Sequence, residues 1–306
     1  MSRLGLLVMA YGGPARLDEV EPYLLDVRGF RDTPRPLIDE VRGRYARIGG
    51  RSPILEQTRA QAHALQRALA ARGLEVDAEV GMRHWHPHIR DALARLEERG
   101  VGQAIGLVMA PQYSRMSIGK YLEAVADAGA PVEVAAIPQW HLLPGYIHAL
   151  ADRVRTALHR FPSEARASVP VIFTAHSLPQ RIRSWGDPYP EQVTATMRAV
   201  VAELGEPPHR LAYQSAAMTP DPWLGPDVGD VVTELAANGA RHALAAPVGF
   251  VCEHVEILYD IDIQLRERAR EVGCRLERIE MLNDHPAMIA GLADLVAERA
   301  AQAGWR

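Results

Sequence analysis

The chain has 306 residues, of which 48% are hydrophobic and 24% charged, and its formal net charge is −4. This composition is typical of a globular protein of about two domains and lacks the basic excess of nucleic-acid-binding proteins. It also lacks both a signal peptide and the run of about 20 apolar residues that spans a membrane, so we expect a cytoplasmic protein without stable membrane insertion.

The first half of the chain predicts strands that alternate with helices. Short apolar runs predict strands at 4–10, 75–81, 103–110 and 132–137. Helical periodicity predicts helices at 18–27, 37–48, 54–72, 89–99, 117–128 and 144–159. Gly12 and Gly13 follow the first strand, where they permit a tight turn and the close approach of a ligand to the backbone.

The second half repeats this order after a charged linker at 160–168. Strands are predicted at 171–175, 210–214, 243–246 and 275–280. Helices are predicted at 191–203, 227–238, 253–272 and 286–302. Strands that alternate with helices indicate an α/β fold with parallel sheets built from right-handed βαβ units. We therefore predict two halves, 1–160 and 161–306, with the last helix as a candidate to pack on the first half.

An internal repeat relates the two halves. The matching segments are LLVMAYGGP (6–14) with VIFTAHSLP (171–179), and LVMAP (107–111) with LAAP (244–247). Tyr11 in the first half takes the position of His176 in the second, and Tyr121 and Glu256 each follow an Ala-Pro strand end by about ten residues. Ligands of open α/β sheets bind beyond the carboxyl ends of the strands, so we expect these four side chains to line one cleft.

The cleft would hold nitrogen and oxygen ligands for a metal. His176, Glu256 and Tyr11 together suit the transient handling of a first-row divalent metal rather than a structural zinc site. Asp260 follows Glu256 by four residues on one helix face, where it could relay metal or protons. The alternatives are a hydrogen-bonded histidine at a strand end and an amphipathic helix whose acidic face is only solvated.

Two further groups in the first half carry candidate functional residues. Arg28, Arg44, Tyr45 and Ser52 could bind an acidic, flat, partly apolar substrate, although solvated surface arginines are the plain alternative. The loop with His84, His86 and His88 could hold a metal or simply be a histidine-rich loop, and His84 is the best placed of the three to face the cleft.

Six segments of the chain together resemble the ferrochelatases, most closely those of the coproporphyrin-dependent haem pathway of bacteria. They are LLVMAYGGP (6–14), RYARIGGRSPI (44–54), TAHSLPQRI (174–182), GDPYP (186–190), QS (214–215) with TPDPWLGPDV (219–228), and PVGFVCEHVEILYDID (247–262). They occur in the order of the family and span almost the whole chain.

The resemblance implies a fold of two similar Rossmann-like halves, each with a four-stranded parallel sheet, around a porphyrin cleft. It implies the insertion of Fe²⁺ into coproporphyrin III, with no permanently bound cofactor and with a downstream enzyme that accepts the coprohaem. By matching of motifs, His176 and Glu256 would be the catalytic and metal-binding pair, and Tyr11 the axial ligand of the product iron. The porphyrin-binding residues would be Tyr11, Arg28, Arg44, Tyr45, Ser52 and Tyr121.

Some features depart from the family pattern. Gln264 stands where relatives often carry a carboxylate of the acidic row, and Glu253-His254 replaces the frequent Asp-His. The chain has two cysteines, Cys252 and Cys274, and no C-terminal cysteine-bearing extension, so we expect no iron–sulfur cluster.

The segment 22–37 bears on which porphyrin is the substrate. Relatives that use protoporphyrin have an apolar lip there, whereas this chain has Arg28, Arg31 and Arg35, which suit four propionates. The alternatives are a protoporphyrin IX ferrochelatase, a non-catalytic porphyrin or haem carrier, and a chelatase for a corrin precursor, which would rely on paired histidines. A nucleotide-binding enzyme is disfavoured because no G-x-G-x-x-G follows any strand.

Overall fold

The strands form two separate parallel sheets in the computed structural model, which describes residues 3–217 and 219–305. The first sheet contains β1 (Leu4–Ala10), β2 (Val76–Met82), β3 (Gln103–Val108) and β4 (Glu133–Ile137). The second contains β5 (Val171–His176), β6 (His209–Gln214), β7 (His242–Pro247) and β8 (Arg275–Arg278). Their orders, β2-β1-β3-β4 and β6-β5-β7-β8, are the same. The prediction of two similar four-stranded halves is therefore confirmed, with strand ends within one or two residues.

Helices cover both faces of each sheet. In the first half they are α1 (Val20–Val27), α2 (Arg35–Arg47), α3 (Ile54–Ala70), α4 (Ile89–Glu98), α5 (Ile118–Asp127) and α6 (Pro144–Leu158). In the second they are α7 (Tyr189–Leu204), α8 (Val228–Ala237), α9 (Val255–Leu258), α10 (Arg266–Glu271) and α11 (Pro286–Gln302).

The central strand β1 shows why its sequence is an unbroken apolar run. Leu6 and Val8 point into the core that the first sheet shares with α3 and with the second half, whereas Leu7 and Met9 pack against α4 on the opposite face. All four side chains are fully buried. A strand of a parallel sheet that is buried on both faces needs apolar residues at every position, not at alternate ones.

One hydrophobic core joins the halves. It contains Val8 from the first sheet, Phe173 from the second and Leu292 from the last helix. That helix, α11, packs against α3 and α6 of the first half. The approach of α6 to α11 needs a glycine, because a Cβ at Gly145 would lie 2.2 Å from the carbonyl oxygen of Ala287. The shared core holds the carboxyl ends of the two sheets in a fixed relation.

The prediction of one continuous helix at 253–272 is wrong. The segment consists of α9, a π-helix at Asp260–Leu265 and α10. The amide of Gln264 donates to the carbonyl of Tyr259 at 2.9 Å, which is the i→i+5 bond of a π-helix. Tertiary contacts stabilise the wider turn: Ser215 donates to Asp260, and Arg278 donates to both oxygens of Asp262 at 2.8 Å. The spacing of the acidic residues is therefore not that of a regular α-helix.

Candidate active site

A cleft lies where the carboxyl ends of the two sheets face each other. The ends of β1, β2 and β3 form its wall in the first half, and the ends of β5 and β7 form its wall in the second. Six of the predicted residues line it: Tyr11, Tyr45, Ser52, Tyr121, His176 and Glu256. The rule that parallel strands gather polar side chains at their carboxyl ends explains why distant segments of the chain meet here.

His176 is the last residue of β5 and presents one free ring nitrogen. Its Nδ1–H donates to the carbonyl oxygen of Ser177, so in the neutral form of the ring Nε2 carries the lone pair. The hydroxyl of Tyr189 donates to the backbone carbonyl of His176 at 2.9 Å and holds the strand end in place. His176 can therefore offer Nε2 to a metal or to a proton.

Glu256 on α9 faces His176 across a short gap. Its Oε2 lies 3.6 Å from His176 Nε2, and the same oxygen is buried without a hydrogen-bond partner in the described part of the chain. Gln214 at the end of β6 donates to the backbone carbonyl of Glu256 at 2.9 Å and accepts from Thr174 on β5 at 2.7 Å. Through Gln214, Glu256 is therefore linked to β5, the strand that ends in His176. A buried carboxylate oxygen without a partner is costly unless a ligand completes it.

Tyr11 and Tyr121 form the aromatic side of the cleft. Tyr11 keeps 38% of its surface exposed along the cleft, while Tyr121 is buried. Burial of its phenol raises the pKa of Tyr11 to about 12, although the nearby charge of Arg83 acts in the opposite direction. Burial also raises the pKa of Tyr121. Both rings are neutral phenols at physiological pH in the unliganded protein.

Close backbone packing sets the floor beside Tyr11. Gly12 has φ +95°, and a Cβ there would lie 1.7 Å from the carbonyl oxygen of His84, so only glycine fits. At Gly13 a Cβ would lie 2.7 Å from Ser52 Oγ and 3.4 Å from the hydroxyl of Tyr45. The two glycines thus bring Ser52 and Tyr45 next to the end of β1.

The two predicted arginines lie outside the cleft lining. Arg44 donates to Glu40 at 2.6 Å, lies 3.8 Å from Asp260 and stacks over the ring of Tyr259 at 5.4 Å. Arg28 at the end of α1 donates to the carbonyl of Asp32 at 3.4 Å. The side chain of Arg44 therefore extends from α2 toward the π-helix, and Arg28 lies in the segment 22–37. The other predicted porphyrin contacts line the cleft.

Asp260 lies behind Glu256, away from the cleft lining. Its carboxylate is buried and accepts from Ser215. Burial and the charge of Glu256 raise the pKa of Asp260 to about 6, while Ser215 and Arg44 act to lower it. A carboxyl group with this pKa can exchange a proton near neutral pH, which is what a relay group needs.

The histidine loop serves as a support for the cleft. Asp26 accepts from Nδ1 of His84 at 2.6 Å, and the ring of His84 packs against Tyr11 with a centroid distance of 4.8 Å. The rings of His86 and His88 meet edge to face, with a centroid distance of 4.7 Å. Among the described residues no group of three or more His, Cys, Asp or Glu side chains is arranged to hold a metal ion, in this loop or elsewhere.

Several cleft residues were not predicted. Tyr23 lines the cleft from α1 and meets Tyr45 edge to face. His254 donates through Nδ1 to the carbonyl of Cys252 at 3.2 Å, and burial lowers its pKa to about 3, so this ring is neutral. Arg83 lies directly after β2. The rule that identified Tyr11 and His176, a polar residue just beyond a strand end, could have identified Arg83 as well.

No helix among the described residues combines the length and the hydrophobicity of a membrane-spanning segment.

Comparison with known proteins gives concordant matches. A family model described as ferrochelatase matches residues 3–300. The chain is 44% identical to a protein of Deinococcus radiodurans named ferrochelatase, over 98% of this chain and 96% of that one. It is 39% identical to a protein of Geobacillus kaustophilus named coproporphyrin III ferrochelatase, over 99% and 98%. Among solved structures, SirB from Bacillus subtilis with Fe³⁺ superimposes with a TM-score of 0.62 at 11% identity, covering 99% of this chain and 97% of that chain, a likeness of fold alone.

Proposed function

The chain belongs to the ferrochelatase family, and from that premise we propose that its substrate is coproporphyrin III, which carries one propionate on each of its four pyrrole rings. A ferrochelatase is a lyase of haem biosynthesis that takes Fe²⁺ as a substrate. The reaction replaces the two N–H protons of the porphyrin by one Fe²⁺ and releases two protons. The protein must therefore bind a flat ring, bring the metal to its centre and accept protons.

The pair His176 and Glu256 is the observation that carries the proposed mechanism. His176 accepts a pyrrole proton at Nε2 as general base. Glu256, whose buried Oε2 lies 3.6 Å away, holds the incoming metal or passes the proton on. Asp260 behind it, with a pKa raised to about 6, is the next proton acceptor.

The residues of the first half bind and orient the ring. Tyr11, Tyr121 and Tyr45 supply aromatic surface, and Ser52 supplies a hydroxyl at the floor beside Gly13. Tyr11 faces the ring centre from the other sheet and is the proposed axial ligand of iron in the product. A macrocycle held between the two sheets would be bent toward the transition state by the same contacts that bind it.

Two observations favour coproporphyrin III over protoporphyrin IX. The relative from Geobacillus kaustophilus bears the substrate in its name. The segment 22–37 presents Arg31 and Arg35 to solvent and partly exposes Arg28, as expected for a rim that meets carboxylates. Phe30, 77% exposed, is an apolar exception in this rim. The iron-containing product would still carry four propionates, so an enzyme that accepts coprohaem and modifies its propionates is the expected partner.

The test is a comparison of porphyrins with the purified protein. Under anaerobic conditions, Fe²⁺ is added with coproporphyrin III or with protoporphyrin IX, and the visible spectrum is followed. Insertion collapses the four bands of the free porphyrin to two. A higher kcat/KM with coproporphyrin III supports the proposal, a preference for protoporphyrin IX overturns the substrate, and tight binding without insertion into either would indicate a carrier.

A further inference from the structure

Arg83 is the one arginine that lines the cleft in the described part of the chain. It follows the end of β2, and its guanidinium lies between two aromatic rings, 5.9 Å from the centroid of Tyr11 and 5.8 Å from that of Tyr121. Its side chain donates to the carbonyl of Met116 at 3.3 Å. This single contact uses one of the five N–H groups of the guanidinium.

The charge of Arg83 has no acidic partner among the described residues. Arg44, by contrast, lies against Glu40 and Asp260, and Arg47 against Glu267 at 2.6 Å. A partly buried cation that lacks a counter-ion is unfavourable unless a ligand brings the negative charge. The aromatic rings on either side stabilise the cation and hold it in place without neutralising it. Arg83 is therefore arranged to receive an anionic group in the cleft.

The position of Arg83 determines which edge of a bound ring it can reach. On the side of α2, the hydroxyl groups of Ser52 and Tyr45 adjoin Gly13 and can donate hydrogen bonds to a carboxylate. Arg83 lies on another side, against Met116 and Tyr121 next to α5. Two carboxylate-binding points on different walls suit a ring with carboxylates on all its pyrroles. A ring whose two propionates are on adjacent pyrroles presents them along one edge only.

We propose that Arg83 binds a propionate that coproporphyrin III carries and protoporphyrin IX lacks, and that it thereby determines the preference between them. This inference rests on the proposed function. The guanidinium donates two parallel hydrogen bonds to the carboxylate, the pairing for which arginine is best suited. Tyr11 and Tyr121 act as the supports that orient the guanidinium.

The experiment compares Arg83→Met, Arg83→Lys and the wild type with both porphyrins. For Arg83→Met we expect kcat/KM for coproporphyrin III to fall about tenfold or more, because a charge-assisted hydrogen bond is lost. The kcat/KM for protoporphyrin IX should change by less than about threefold. Arg83→Lys should restore part of the loss, because the charge remains but the bidentate geometry does not. Arg90→Met removes an exposed arginine nearby on α4 and should change neither value.

The outcomes separate this inference from the proposed function. If the wild type prefers protoporphyrin IX, the proposed substrate is wrong whatever the variants do. If the wild type prefers coproporphyrin III but Arg83→Met lowers kcat/KM for both porphyrins equally, Arg83 only supports the Tyr11 side of the cleft and the inference is overturned. Fluorescence-quenching titrations of each porphyrin without metal give a second readout: the Kd for coproporphyrin III alone should rise.

Discussion

The two halves of the molecule share one framework and differ in the chemistry at its strand ends. Their sheets have the same strand order, and the central strand of each ends in the cleft. In the first half that strand, β1, is followed by Tyr11, whose phenol is neutral. In the second half the equivalent strand, β5, ends in His176, which faces the buried oxygen of Glu256. The same position in the fold thus carries a phenol in one half and an imidazole in the other.

The two halves also differ in the helix that follows the third strand of each half along the chain. Tyr121 on α5 is followed four residues later by Val125, whereas Glu256 on α9 is followed four residues later by Asp260. The cation of the first wall, Arg83, lies between tyrosines rather than next to acids. We infer a division of labour in which the first half binds the ring and the second half handles metal and protons.

The sharpest test of this division replaces His176, the proposed proton acceptor. In His176→Ala, kcat should fall by about 10³ because general-base catalysis contributes about 10² to 10⁴. The Kd of coproporphyrin III should change by less than about threefold, since the first half still supplies the binding surface. Stopped-flow spectra measure insertion, and fluorescence quenching measures binding.

The matched control is the equivalent position of the other half. Tyr11→Phe removes the phenol oxygen but keeps the ring, so kcat should fall by less than about tenfold, as for the loss of one interaction of about 1 kcal/mol. Equal losses of kcat in Tyr11→Phe and His176→Ala would contradict the division of labour.

A second prediction concerns the carboxylate of the second half. Glu256→Gln keeps the size and the hydrogen bond from Gln214 to the backbone but removes the negative charge. We expect kcat to fall by about 10², at the lower end of the general acid–base range, because His176 remains. The KM for Fe²⁺ should rise as well, which initial rates at varied metal concentration would reveal. A rise in the KM for the porphyrin with unchanged kcat would instead place Glu256 in ring binding.

The positions of the four repeat-related residues could be predicted because strand ends are encoded locally. An apolar run followed by a ring-bearing residue, small residues and Pro is visible in the sequence at Tyr11 and at His176, and topology alone then brings them together. The π-helix could not be predicted, since it depends on Ser215 and Arg278, which are distant in sequence from the acids they contact.

The arginines illustrate the same limit. Arg44 lies four residues after Glu40 on α2, a spacing that gives an ion pair on any exposed helix face and carries no information about a ligand. Arg83, which does line the cleft, has no sequence pattern except its place after β2. The place of Arg83 after a strand end makes it a candidate, but whether an arginine faces a carboxylate or the cleft is decided by packing.

A further prediction concerns stability rather than rate, at the buried acid of the second half. The pKa of Asp260 is raised from 3.8 to about 6 by burial and by Glu256, whereas in the unfolded chain it stays near its ordinary value. The folded state therefore keeps a proton that the unfolded state loses, so this group lowers the free energy of unfolding as pH rises from about 4 to about 6. A shift of about two units corresponds to about 3 kcal/mol.

Asp260→Asn removes this titration. Urea denaturation gives the free energy of unfolding of the wild type and of the variant at each pH. The value for the wild type minus that for the variant should be about 3 kcal/mol lower at pH about 7 than at pH about 4. Asp127→Asn, an exposed carboxylate on α5 in the first half, is the matched control and should show no such pH dependence. If the difference instead grows with pH, the contacts of Asp260 with Ser215 and Arg44 outweigh its burial. The second half would then hold a permanent carboxylate behind Glu256 rather than a group able to take up the protons that metal insertion releases.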